Sequence, residues 1–194
     1  MKRLTVAALA VALPLAAAAQ ESYTFDPFHT YVNFGVDHLG FSTMYGRFDK
    51  TAGKATLDRA GRKGTFDLTV ETASLNTGDN EKAGRPRSRD EHLRSADFFN
   101  VAEFPRMTYK GTAIKFSGDN PAEIEGQATL LGVTKPLALK IERWKCGPHP
   151  FSKKELCGGN ATGKLKRSDF GMKYGLPAVG DEITLMIEFE AYKD

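Results

Sequence analysis

The chain has 194 residues, 41% hydrophobic and 26% charged, enough for one domain with a proper core. Its 27 basic residues nearly balance its 24 acidic ones. That balance supplies no electrostatic footprint for nucleic acid or for an anionic membrane surface.

The first residues read as an export address. Lys2 and Arg3 give a positive start, Leu4 to Leu15 an apolar core, and Ala17-Ala18-Ala19 a small-residue cleavage site before Gln20. Residues 1–19 are therefore expected to be a signal peptide cleaved near Ala19. The apolar run is too short for a spanning anchor, so no stable membrane insertion is expected. The domain is expected over 22–193.

Strand signals then come at close spacing. Weak runs lie at Tyr31–His38 and Tyr45–Leu57, and Phe66, Leu68 and Val70 alternate clearly with polar neighbours. After a long connection, Met107–Phe116 is weak again. Ile124–Leu130 and Leu137–Ile141 alternate, Thr162–Met172 is weak, and Ile183–Tyr192 has the strongest period of two. That makes about eight strands. The turns Asp58–Arg62 and Ser117–Pro121, and the tight Leu131–Thr134, are hairpin chemistry, so neighbours should pair antiparallel.

The connection from Thr72 to Arg106 carries the one clear helix signal. Ser88 with Glu91 three residues on is a capping box, and Pro86 tolerates a helix start. Leu93, Phe98 and Phe99 would pin this short helix as a cap across the end of the β structure. Cys146 and Cys157 are the only cysteines. In an exported protein they read as a disulfide closing a small loop, because a metal site would need more ligands than His149 between them.

Eight antiparallel strands can close into an up-and-down barrel, with a two-sheet sandwich as the competing arrangement. A barrel of that size is filled by side chains or holds one slim ligand. Gly35, Gly46, Gly53, Gly111 and Gly126 lie in or beside strands and would leave room inside, although bulges and corners explain any one of them equally well.

Four separated motifs are more specific: His38-Leu39-Gly40-Phe41, Arg89 to Phe99 ahead of Phe104-Pro105, Gly132 to Pro136, and Arg167-Ser168-Asp169-Phe170-Gly171-Met172. In this order and spacing the chain resembles the YceI family of exported bacterial proteins from about Tyr23 to Lys193. The resemblance implies an all-β, lipocalin-like barrel in the periplasm, whose hydrophobic channel holds a polyisoprenoid or similar lipid without catalysis. The channel candidates are Phe34, Val36, Phe41, Leu93, Phe98, Phe99, Phe170 and Met172. Each of them is equally an ordinary core residue. His38, Arg89 and His92 are candidates for the head-group end, where Arg and His donors suit a pyrophosphate or quinone carbonyl. Arg167 and Asp169 read as an ion pair between a strand and the cap.

The four histidines are scattered and no nucleophile elbow is present, so neither an enzyme nor a metal site is indicated, and no cofactor is expected beyond the lipid. Two rival readings stay open: a carrier of fatty acid or fatty amide, and a packed scaffold barrel without ligand. A homodimer is compatible with such a barrel, but the surface pattern locates no interface.

Overall fold

A computed structural model describes residues 20–194, so the signal-peptide expectation for residues 1–19 lies outside the described residues. The described residues form eleven strands: β1 (Glu21–Phe25), β2 (Tyr31–His38), β3 (Ser42–Phe48), β4 (Thr51–Asp58), β5 (Lys63–Glu71), β6 (Leu75–Asn76), β7 (Arg106–Ser117), β8 (Asn120–Leu130), β9 (Val133–Pro148), β10 (Glu155–Lys166) and β11 (Val179–Lys193). Among the described residues there is one α-helix, α1 (Arg89–Arg94), between β6 and β7.

The ring β1-β4-β5-β7-β8-β9-β10-β11 closes because β1 pairs antiparallel with both β4 and β11. This is an eight-stranded antiparallel barrel, and the sandwich alternative is excluded. The other three strands lengthen it. β11, 15 residues long, meets β1 at one end (Phe25↔Ala191) and β2 farther along (Ile183↔Val36). In the same way β3 extends β4 and β6 extends β5.

The run read as one strand over Tyr45–Leu57 is therefore two, interrupted at Asp49-Lys50. A matching interruption separates β1 from β2. Fully buried Thr30 ties the two together, donating from its hydroxyl to the Glu190 carbonyl at 3.2 Å and accepting from the Thr51 hydroxyl at 2.6 Å on its own carbonyl. Side-chain oxygens here replace the broken ladder, as a buried backbone requires.

The inward residues are those the alternation selected. Phe66, Leu68 and Val70 on β5 and Ile187, Phe189 and Ala191 on β11 are buried. Each large apolar side chain so placed contributes roughly 1.5–3 kcal/mol. Inward Phe34 and Val36 on β2 and Ile183 and Leu185 on β11 are only half-buried. They lie toward one end of the barrel, where the interior is not filled.

Candidate functional site

A cavity of about 160 Å³ lies beneath the α1 end of the barrel. Its side walls include Phe34 and Val36 from β2, Leu68 and Val70 from β5, and Ile183 and Leu185 from β11. Leu93, Phe98 and Phe99 from the connection around α1 close it, with Met172 from the segment after β10. The polar residues on its wall are Thr108, Tyr109, Thr129 and Arg167.

The first closing segment is held by polar pins. The Ser88 hydroxyl accepts from the Glu91 N–H at 3.1 Å, and the Glu91 carboxylate accepts from the Ser88 N–H at 2.9 Å, so both halves of the capping box are present. Buried Asp90 accepts from the backbone N–H and hydroxyl of Thr77 at 3.0 and 2.6 Å. Arg94 donates to the carbonyls of Ala73 (3.0 Å) and Leu75. These bonds orient the helix so that Leu93 faces the barrel, and Phe99 meets Phe48 edge-on at 5.3 Å.

Arg167 organises the second closing segment. Only 2% exposed, it donates through Nε to the Gly180 carbonyl (2.8 Å), through Nη1 to Met172 (3.2 Å) and Tyr174 (2.9 Å), and through Nη2 to Val179 (2.8 Å). The ladder between β2 and β11 is irregular between Val179 and Ile183, and the guanidinium joins the Val179 and Gly180 carbonyls there to those of Met172 and Tyr174 in the segment before β11. Burial pulls its pKa below the usual value, and the Asp181 carboxylate opposes that shift. The ion pair expected with Asp169 is thus replaced by main-chain contacts, and it is Asp181 that accepts from Ser168 (2.9 and 2.7 Å). The two closing segments meet where the Tyr174 ring packs 5.3 Å from Phe98 and 5.0 Å from His92.

Six of the residues singled out for a channel stand on this wall: Phe34, Val36, Leu93, Phe98, Phe99 and Met172. Phe170 does not. It is buried behind the wall in a satellite core with Phe98, Leu130 and Met172. Phe41 is 91% exposed. Leu39 and Gly40 both have positive φ (60° and 73°), so a tight three-residue connection joins His38 to its partner Ser42, and its last residue, Phe41, is left facing solvent. Leucine in the first of those positions gives no turn signal, which is why the alternation misleads there.

The three head-group candidates are not brought together on the wall. His38 ends β2 opposite Ser42 and Val179. Arg89 donates to Asp79 at 3.1 Å, and His92 Nε2 lies 2.9 Å from Asp97, which also accepts from Arg87 at 3.0 Å. The charge that does reach the wall is Arg167, whose partners are backbone carbonyls that no side-chain pattern in the sequence reveals.

The cavity does not run the length of the barrel. Beyond it the interior is filled by Phe25, Phe66, Tyr109 and Phe189, and farther on Cys146 and Cys157 form a disulfide across β9 and β10. Strand glycines make room for rings more than for a tunnel. A Cβ on Gly46 would sit 2.5 Å from Phe34, and one on Gly126 would sit 2.7 Å from Tyr109. Among the described residues no three His, Cys, Asp or Glu side chains gather as a metal-holding group, and no helix is long and apolar enough to cross a membrane.

A closed antiparallel ring of eight strands capped over an apolar cavity places the chain among the up-and-down β-barrels with an unfilled space in the interior. The chain belongs to the YceI-like domain family, the match running over residues 23–191. It is 37% identical over 188 residues to Protein YceI of Escherichia coli, covering 96% of this chain and 94% of that protein. Among solved structures it is similar to the YceI protein of Campylobacter jejuni (TM-score 0.66, 30% identity, 81% of this chain and 90% of that one). A polyisoprenoid binding domain from Saccharophagus degradans shares the fold at 15% identity (TM-score 0.63, 90% and 99% covered).

Proposed function

We propose that this protein is a non-catalytic periplasmic carrier that shelters the tail of an isoprenoid-type lipid, such as a polyisoprenoid, quinone or polyprenyl pyrophosphate, beneath its cap. The observation that carries this reading is the cavity itself, about 160 Å³ walled almost wholly by apolar side chains in a barrel whose other half is filled by side chains save a space of about 30 Å³. Apolar cavities of about 150 Å³ stay dry and bind small hydrocarbons. Each carbon buried is worth up to about 0.8 kcal/mol, less the cost of ordering the chain. The Saccharophagus degradans domain, described as polyisoprenoid binding, supports isoprenoids over straight-chain lipids. The unfilled space favours this reading over a packed scaffold barrel without ligand.

The wall supports binding without catalysis. The Tyr109 hydroxyl shares its proton between the carbonyls of Ile124 and Leu137, each at 3.1 Å, and burial raises its pKa. The Arg167 guanidinium is occupied by carbonyls. Neither serves as a general base. The head group is assigned to the rim of the cap, where Arg89 and His92 meet it by exchanging their carboxylate partners Asp79 and Asp97.

Filling the cavity tests the reading. Ala128 lies on the wall, and Ala128→Phe places a ring in the space. Delipidated protein would be titrated with farnesol against a fluorescent apolar probe. The variant is expected to lose about tenfold or more in affinity with a melting temperature no lower than the parent's. Ala128→Leu should show a smaller loss. Affinity unchanged in both folded variants would place binding elsewhere.

A further inference from the structure

Phe66 borders two spaces. One is the cavity beneath the cap, and the other, about 30 Å³, lies toward the disulfide with Phe25, Ile141, Trp144, Cys157 and Phe189 on its wall. Between the two, Phe66 is clamped 4.7 Å from Phe25, 5.3 Å from Phe189 and 6.2 Å from Tyr109, in tilted and edge-on arrangements that favour aromatic packing. Tyr109 cannot swing aside without giving up the carbonyls of Ile124 and Leu137. Four rings thus form a partition across the barrel, anchored on β1, β5, β7 and β11.

Resting on the lipid-binding reading, we infer that this partition is a floor that sets the length of hydrocarbon the barrel accepts, with Phe66 as the residue that determines it. The wall residues of β2 run from Val32 to Val36, about 13 Å of strand, or roughly three extended isoprene units. The ligand class is therefore a lipid gripped through a short prenyl segment of about farnesyl length. Longer chains gain nothing from their additional units, which stay outside the cavity.

The experiment is a length series on delipidated protein with geraniol, farnesol, geranylgeraniol and solanesol, measured by displacement of a fluorescent apolar probe. In the unaltered protein affinity is expected to rise to farnesol and then stay level within about threefold. Phe66→Ala, which joins the two spaces, should extend the rise, giving solanesol about tenfold or more over farnesol. Trp144, the only tryptophan, borders the far space, so long chains should shift its emission in the variant and not in the parent. The parent series decides the matter even where Phe66→Ala fails to fold, and Phe66→Leu offers a milder opening. A parent whose affinity climbs about tenfold or more beyond farnesol has no floor. Failure of every prenol to bind the parent would instead remove the lipid reading, and the floor with it.

Discussion

Arg167 sits where a charge is expensive, nearly sealed from water, and its compensation comes from four carbonyls rather than from a carboxylate in contact. A planar guanidinium with five fixed donors fits that task, and an ammonium does not. Arg167→Met would leave those carbonyls facing an apolar side chain, costing about 3 kcal/mol in urea unfolding, and Arg167→Lys should recover only part of it. A loss under about 0.5 kcal/mol would mean that solvent or a rearranged loop satisfies them. The Arg-Ser-Asp-Phe-Gly run over Arg167–Gly171 stands out in the sequence, but its role does not. Acceptors 5 to 13 residues away on the backbone leave no trace in side-chain identity.

At the scale of elements, α1 has six residues and is too short to persist alone. Its capping box was legible because Ser88 and Glu91 act over three residues, whereas the buried bond from Thr77 to Asp90 was not, because it spans a loop. Asp79 ties the connection to the helix, accepting from Arg85 at 2.6 and 2.8 Å and from Arg89 at 3.1 Å. The Arg85 guanidinium, foremost, lowers its pKa from 3.8 to about 2, and Arg87, then His92, lowers that of Asp97. A carboxylate with a depressed folded pKa stabilises above its unfolded value and loses that contribution as pH falls through the folded one. Hydrogen-exchange protection over residues 77–94 should hold steady down to about pH 4 and fall between about pH 4 and 2, before that of the barrel strands. Protection that stays level through that window would show that these pairs do not hold the cap.

Strand alternation located most of the sheet, but it missed β1, the two-residue β6 and the break between β3 and β4. It also set the run Thr162–Met172 too late, since β10 spans Glu155–Lys166 and a 3-10 turn takes Arg167–Phe170. β1 is five residues next to the expected cleavage site, too short to show a period. The break at Asp49-Lys50 contains neither glycine nor proline, because buried Thr30 and Thr51 make it rather than a turn residue.

For the whole molecule, the open question in the sequence was whether the cylinder is hollow, and alternation could not answer it. Phe34 and Phe66 are both inward phenylalanines on strands, yet one borders only the cavity while the other joins the partition. The outcome depends on which rings meet across the barrel. The disulfide lies beyond the partition from the cap, and its cysteines, 11 residues apart, close a short loop between paired strands. Replacing both by serine should cost about 3 kcal/mol in denaturant unfolding. Farnesol affinity should stay unchanged, and a parallel loss of affinity would mean that the two halves are coupled.

Closure of the ring joins Tyr23 to Lys193, nearly the two extremes of the described chain. A polypeptide that emerges from synthesis N-terminus first must therefore wait, its greasy lining bare, until the last strand from Val179 onward has appeared. Until then a raw sheet margin stays unpaired, and a molecule halted short of that strand has no means of shutting.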